Sequence, residues 1–138
     1  MSTTAREQGR DILKMLDEVK RKSEKLKTDE AKVHYNMGNM YFKRKEYQRA
    51  KNEFEAALRL SPQDAFSHFN LAFVSGEFFH DYKLAMTHYR EYLELNPEAE
   101  DAPLVREKII EAELFIRSQI PSNLEKQVQK EKDRAYRK

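Results

Sequence analysis

Four histidines are the side chains of this chain best suited to metal binding or general acid–base chemistry: His34, His68, His80 and His88. No two of them lie four residues apart, and the sequence contains neither an HExxH motif nor a GxxxxGK phosphate loop. With three glycines and no cysteine, the chain also lacks a glycine-rich phosphate cradle, disulfides and Cys-based zinc sites. We therefore expect no enzyme activity, no metal and no cofactor.

A long internal repeat positions two of these histidines. Residues 31–64 and 65–99 carry matching residue types at an offset of 34 in the first half of each unit and 35 in the second. The matched pairs are His34/His68, Asn36/Asn70, Met37/Leu71, Gly38/Ala72, Tyr47/Tyr82, Ala50/Ala85, Phe54/Tyr89 and Pro62/Pro97. A period of this length, with small and aromatic residues at fixed offsets, predicts a helical solenoid.

These residues resemble the pattern of the tetratricopeptide repeat family: aromatic, Leu-Gly, Tyr, Ala, Phe, Ala and Pro. The first unit supplies His34, Met37-Gly38, Tyr41, Ala50, Phe54, Ala57 and Pro62. The second supplies His68, Leu71-Ala72, Ala85, Tyr89 and Pro97, with Ser75 in place of Tyr and Tyr92 in place of the second Ala. The resemblance covers roughly half of the chain and implies an all-α, right-handed helix–turn–helix solenoid that binds other proteins.

Composition agrees with a polar, helical protein. Charged residues make up 36% of the chain and the mean hydropathy is −0.94, so we expect no membrane span, no signal peptide and a cytoplasmic location. Residues 1–27 carry eight basic and five acidic side chains, residues 28–124 twelve and sixteen, and residues 125–138 six and three. The basic ends are either solvated helix ends or an electrostatic contact for an acidic partner. They lack interleaved aromatic residues, so nucleic-acid binding is not expected.

Start and stop signals divide the chain into helices. Thr4 and Glu7 form a capping-box pattern, and Pro62 and Pro97 each predict a helix end. The predicted helices are 4–27, 30–44, 46–60, 64–78, 82–95 and 101–119, with breaks at Lys27-Thr28-Asp29 and Pro121. The corresponding segments are an N-terminal amphipathic helix (1–29), two repeats (30–64 and 65–99), a capping helix (100–120) and a basic, mobile tail (121–138).

The N-terminal helix carries a narrow apolar seam, made of Ile12, Leu16, Val19, Ser23 and Leu26. The spacings of four and three residues place these side chains on one face of an otherwise charged helix. Two readings follow. The seam packs on the first repeat as a solenoid cap, or it is a surface for self-association.

Helical periodicity separates two faces of the first helix in each repeat. His68, Leu71, Ala72 and Ser75 fall on one face, where small side chains let the second helix approach; His34, Met37, Gly38 and Tyr41 fall on the equivalent face. In the family, the opposite face lines a concave groove for peptides or helices. The residues of that predicted groove are Lys32, Tyr35, Asn36, Asn39, Lys43, Phe66, Phe69, Asn70, Phe73 and Glu77.

The groove prediction leaves two structural alternatives open. The Phe side chains are exposed for a partner, or a flanking helix covers them. Asn36 and Asn70 match asparagines that hydrogen-bond peptide backbones in relatives, whereas Asn39 and Asn70 match two residues of a carboxylate clamp that also needs a lysine where this chain has Tyr35. The resemblance therefore implies a non-catalytic adaptor or assembly factor for a peptide or helical ligand of acidic or amphipathic character. The alternative is a self-associating structural protein.

Overall fold

Strong helix formers and few breakers give the chain long helices separated by short turns. The structure, a computed structural model, describes residues 4–137. Within them it has five helices: α1 (Ala5–Lys43), α2 (Tyr47–Leu60), α3 (Ala65–Phe79), α4 (Tyr82–Leu95) and α5 (Ala102–Tyr136). Hairpins α1/α2 and α3/α4 pack side by side through α2 and α3, and α5 packs on α4. The predicted all-α helix–turn–helix repeat is confirmed.

Local signals set most helix ends where the sequence predicts them. Thr4 Oγ1 accepts a hydrogen bond from the Glu7 amide and Glu7 Oε2 accepts one from the Thr4 amide, so the capping box is present. α2 ends before Ser61-Pro62 and α4 before Asn96-Pro97. The turns inside the two hairpins each contain a residue with a left-handed backbone, Lys45 at φ 62° and His80 at φ 52°, at equivalent repeat positions.

The predicted break at Lys27-Thr28-Asp29 is wrong, because α1 runs through it without interruption for 39 residues. Thr28 does not cap a new helix. Its Oγ1 donates instead to the carbonyl of Glu24, one turn earlier in the same helix, at 3.0 Å. With no Gly or Pro nearby, nothing outweighs the helix propensity of the surrounding Lys, Glu and Leu residues.

The interpretation of the N-terminal helix as a cap on the first repeat is also wrong. α1 is one continuous helix and its first part does not fold back onto the hairpins. Residues 10–30 are therefore exposed along their whole length. The apolar seam residues Ile12, Leu16, Val19 and Leu26 are each more than half exposed. The first 26 residues of α1 therefore project beyond the helical hairpins as a single helix.

The predicted stop at Pro121 is wrong as well, since α5 continues to Tyr136. A proline inside a helix costs about 3 kcal/mol, but residues 122–136 are rich in Glu, Lys and Gln, which favour continuation of the helix after it. The mobility expected for this tail remains a prediction. Residues 1–3 and 138, which belong to the predicted N-terminal and tail segments, lie outside the described residues.

Two apolar clusters hold the hairpins together. One contains Ala50, Phe54, Leu71 and Val74 and joins α2 to α3. The other contains Ala72, Ala85, Tyr89, Tyr92 and Val105 and joins α3, α4 and α5. The expected packing face of α3 is confirmed, because His68, Leu71, Ala72 and Ser75 are all buried. Val105 and Ala112 of α5 are buried too, so the first half of this helix acts as the predicted capping helix.

Candidate functional site

A cavity of about 240 Å³ lies where α1, α2 and α3 meet. Its lining is mostly aromatic and apolar, with two amides: Asn39, Phe42, Phe54, Phe69, Asn70, Phe73 and Val74. Asn39 and Phe42 come from α1, one helical turn apart, and Phe69, Asn70 and Phe73 come from one turn of α3. Phe54 and Val74 are buried at its base, while the other five side chains are only partly buried. The cavity therefore combines an apolar base with polar groups that reach its opening.

The two asparagines are joined across the repeats. Asn70 Nδ2 donates to Asn39 Oδ1 at 2.9 Å. Among residues 4–137, neither side chain makes another hydrogen bond, so the amide N–H groups of Asn39 and the carbonyl oxygen of Asn70 are available. An asparagine amide offers two N–H donors and one acceptor oxygen. The hydrogen bond between the two amides orients the N–H groups of Asn39 and the oxygen of Asn70 next to the cavity.

An aromatic cluster supports one wall of the cavity. Phe42 packs edge-on against Phe73, with ring centroids 6.0 Å apart, and against Phe78 at 5.8 Å. Phe78 in turn stacks on Tyr47 at 3.7 Å. These contacts hold the Phe73 ring of α3 against α1, so packed rings form this wall of the cavity.

α5 reaches the same wall from the other side. Lys108 Nζ lies 5.6 Å from the centre of the Phe73 ring and 3.1 Å from Glu77 Oε1. The lysine therefore neutralises Glu77 and covers part of Phe73, in a cation–π arrangement. Both alternatives left open for the Phe side chains are partly correct, because a flanking helix covers one edge of Phe73 while another part of the ring lines the cavity.

Phe69 has a larger structural role than the sequence predicts. Its ring packs against Tyr89 at 5.8 Å and Tyr92 at 5.3 Å, both of which belong to the core shared by α3, α4 and α5. The expectation that neither Phe69 nor Phe73 belongs to a packing face is therefore wrong for Phe69. It was derived from helical angles alone, which do not show how far the bulky Tyr89 and Tyr92 extend around α3.

Five of the ten predicted groove residues line or adjoin the cavity. Asn39, Phe69, Asn70 and Phe73 line the cavity, and Tyr35 packs beside it on Phe54, with centroids 6.1 Å apart. Glu77 is held by Lys108. The remaining four are exposed and take no part in the lining: Lys32, Asn36, Lys43 and Phe66. Asn36 matches Asn70 in the repeat, but it does not line the cavity.

Four residues of the site escaped sequence reasoning: Phe42, Phe54, Val74 and Lys108. Phe42 lies three residues after Asn39 on α1, so its place on the same face could have been found from helical periodicity. Phe54 is part of the repeat pattern and Val74 has no sequence signal of its own; both pack in the core cluster and also line the cavity. Lys108 carries no sequence signal, because its contact depends on how α5 lies across α3.

The histidines form polar contacts between helices. His34 Nδ1 lies 2.6 Å from Glu53 Oε2, and His68 Nδ1 lies 2.8 Å from His88 Nδ1. Burial, followed by the adjacent His68 charge, lowers the pKa of His88 from 6.5, against the raising effect of Glu91. Over the described part of the chain, no group of three or more His, Asp or Glu side chains could hold a metal ion. The His34–Glu53 and His68–His88 contacts each link the two helices of a hairpin.

Two tyrosine hydroxyls are similarly tied into the structure. The buried Tyr92 donates to Asp101 Oδ1 at 2.7 Å, and burial together with this contact raises the pKa of Tyr92 to about 12. Burial also raises the pKa of Tyr89, with the charges of Glu77 and Glu111 acting in the same direction. Neither phenol will ionise near neutral pH, so both act as neutral packing groups.

No helix among residues 4–137 has the length and apolar character needed to cross a membrane. No curated protein matches the chain. Residues 31–64, which span the last third of α1, all of α2 and the turn before α3, match the tetratricopeptide repeat family. The α3/α4 hairpin repeats this unit in sequence and in packing. This match and the helix–turn–helix architecture identify residues 31–64 as a tetratricopeptide repeat unit.

Proposed function

We propose that this protein is a non-catalytic interaction module of the cytoplasm, an adaptor or assembly factor that binds a peptide or helix of another protein at the cavity between α1 and α3. The observation that carries the proposal is the cavity itself, in which an apolar base lies beside the Asn39–Asn70 pair. A concave, mostly apolar site with a few placed polar groups is the usual form of a binding pocket.

The cavity has room for one large apolar side chain of the ligand. A protein cavity of about 150 Å³ accommodates benzene, and this one measures about 240 Å³. Burying a Leu or Phe side chain contributes on the order of 1.5–3 kcal/mol. Phe42, Phe69 and Phe73 would provide that contact, because parts of all three rings line the space.

The asparagine pair would fix the ligand backbone. Asn39 has N–H groups available for a ligand carbonyl, and Asn70 has an oxygen available for a ligand N–H. Backbone recognition of this kind tolerates many ligand sequences. Lys32 and Lys43, exposed on the same helix as Asn39, favour a ligand with acidic residues near its apolar anchor.

The test is a peptide selection with matched variants. Peptides selected from a random displayed library on the full chain are measured by fluorescence anisotropy against Phe73→Ala and Phe78→Ala. Both substitutions remove a ring from the aromatic cluster around Phe42, but only Phe73 lines the cavity. Selected peptides should bind the Phe73 variant at least tenfold more weakly and the Phe78 variant with little change.

Circular dichroism and thermal unfolding of both variants establish that each remains folded. Equal binding of the selected peptides to wild type and to Phe73→Ala would contradict the proposal. A library that yields no peptide for the folded wild-type chain would contradict it as well.

A further inference from the structure

We infer that a second surface of this protein, the outer face of α1, docks an amphipathic helix with acidic flanks supplied by a different protein. This face, called the heptad face below, consists of Ile12, Val19, Leu26, Val33 and Met40. It lies apart from the cavity between α1 and α3, and its role does not depend on the function proposed there.

The heptad face is long, regular and exposed. Its five side chains recur every seven residues and are between 41% and 69% exposed. From Ile12 to Met40 it extends for about 42 Å along the helix, at roughly 1.5 Å per residue. Apolar side chains every seven residues form one of the two rows of the seam by which one helix packs along another.

The internal repeat shows what kind of element covers this face. Val33 and Met40 correspond to Ser67 and Val74 of α3, at the offset of 34 that relates the first halves of the repeats. Ser67 and Val74 are both buried, and Val74 packs with Ala50 and Phe54 of α2. In the second hairpin, a helix from the preceding unit therefore lies across the positions that remain uncovered in the first.

Basic side chains border the heptad face along the projecting part of α1. In a coiled coil this face is one of two core positions; the other core position carries Leu16, Ser23, Glu30 and Met37. The flank positions on either side of the two carry Leu13, Lys20, Lys27, Met15, Lys22 and Asp29. The charged residues at these flank positions are thus three lysines and one aspartate. Lys22 and Lys27 approach Glu18 and Glu24 of the same helix at 3.4 and 3.9 Å, but exposed pairs of this kind contribute little and can be exchanged for a partner's carboxylates.

The same charges argue against a second copy of this chain as the occupant. In a parallel, in-register pair of α1 helices, Lys22 of one chain would lie opposite Lys27 of the other in both directions. Like charges at these flank positions destabilise the pairing. A helix with Glu or Asp at its flanks would instead meet a lysine at each of these points, so charge selects a different protein.

The experiment uses the full chain and two synthetic helical peptides of about four heptads. Both peptides carry Leu at the core positions; one has Glu at the flank positions and the other has Lys. Binding is measured by fluorescence anisotropy at about 50 mM and about 500 mM NaCl, and the mass of the chain alone is measured by sedimentation. The Glu-flanked peptide should bind at least tenfold more tightly than its Lys twin at low salt, with a smaller ratio at high salt.

Two double variants locate the contact. Val19→Ser with Leu26→Ser removes apolar side chains from the heptad face, in a segment that touches nothing else in the fold. Asp17→Ser with Arg21→Ser alters the far side of the same helix and leaves the net charge unchanged. The first pair should weaken binding of the Glu-flanked peptide at least tenfold, and the second should not.

Three results would overturn the inference. The first is equal binding of the two peptides, or binding of neither. The second is equal binding of the Glu-flanked peptide to both double variants. The third is a wild-type chain that sediments as a dimer and becomes monomeric with Val19→Ser and Leu26→Ser, which would assign the heptad face to self-association.

Discussion

The two hairpins of this protein place equivalent residues at the same helix–helix contacts but fill them with different side chains. In α1/α2 Gly38 lies against Phe54, where a Cβ atom added to the glycine would lie 2.5 Å from the Phe54 ring. In α3/α4 the equivalent positions hold Ala72 and Tyr89, both buried. In the first hairpin the helices approach each other closely because Gly38 has no side chain. In the second, the methyl group of Ala72 packs beside the Tyr89 ring.

The polar contact between the helices also differs. His34 and Glu53 meet in the first hairpin, and the equivalent positions in the second hold His68 and His88. His68 Nε2 also donates to the carbonyl of Pro62 at 2.7 Å. A basic–acidic pair in one repeat is thus replaced by a pair of two bases in the other.

The repeat therefore specifies the arrangement of the helix backbones more strictly than the side-chain contacts between them. The second hairpin admits the bulky Tyr92 where the first has Ala57, because α5 supplies Asp101 as an acceptor for its hydroxyl. Within residues 4–137 no helix packs on the outer side of the first hairpin, and its heptad face is exposed. The side chains of each repeat therefore depend on the element that packs beside it.

The largest effect is expected at Gly38. Gly38→Leu forces the Phe54 ring out of its position at the centre of the first core cluster, and we expect a loss of about 1–3 kcal/mol or more of unfolding free energy. Gly9→Ala is the control, because no atom lies within 4 Å of a Cβ atom there. The control should be neutral or slightly stabilising in urea unfolding. Unfolding of Gly38→Leu at the wild-type midpoint would refute the packing given to the first hairpin.

The histidine pair predicts a pH dependence that belongs to the second hairpin. Because the pKa of His88 is lowered in the folded protein, the unfolded chain binds its proton more readily. The corresponding stability is present above pH 6.5 and is lost as the pH falls below that value. His88→Glu places a carboxylate beside His68, as Glu53 lies beside His34, and should reduce this loss.

Urea unfolding of wild type and His88→Glu across this pH range measures the difference. His80→Asn, which changes an exposed histidine in a left-handed turn, should retain the wild-type pH slope. If wild type and His88→Glu lose stability in parallel, the acid sensitivity arises elsewhere in the protein.

The smallest effect is expected at a buried hydroxyl. Ser75 takes the place of the half-exposed Tyr41 and is fully buried, and its Oγ has no hydrogen-bond partner among residues 4–137. Ser75→Ala should raise the unfolding free energy by about 1 kcal/mol, because it removes an unsatisfied polar atom. Ser67→Ala is the matched control on α3, since the equally buried Ser67 donates to Asp64 at 2.6 Å and its loss should destabilise. A decrease for both variants would show that Ser75 has an unrecognised partner.

Much of the fold could be predicted from the sequence, because its signals are local. The capping box at Thr4, the prolines at 62 and 97 and the repeated small residues each act through neighbouring atoms. The two wrong helix boundaries were predicted at residues that disfavour helix too weakly to end one. Thr28 bonds back to its own helix and Pro121 interrupts one hydrogen bond in a long run of helix formers, so neither divides a helix.

The candidate site was less predictable, because its geometry depends on contacts between helices. Periodicity identified the side of α3 that carries Phe69, Asn70 and Phe73. It could not show that Phe69 leans into the tyrosine core, nor that Lys108 reaches across from α5. Asn36 and Asn39 are three residues apart on one helix, and only the packing of α1 against α3 selects Asn39 as the partner of Asn70.

The most direct test of the binding cavity is a titration of the isotope-labelled full chain with a peptide selected on it, followed through the side-chain amide signals of its asparagines by NMR. The Asn39 and Asn70 amide signals should shift on binding, because the ligand backbone bonds to both, while that of Asn36 should stay in place. Shifts at Asn36 with none at Asn39 and Asn70, or shifts confined to residues 5–30 of α1, would contradict the assignment of the site.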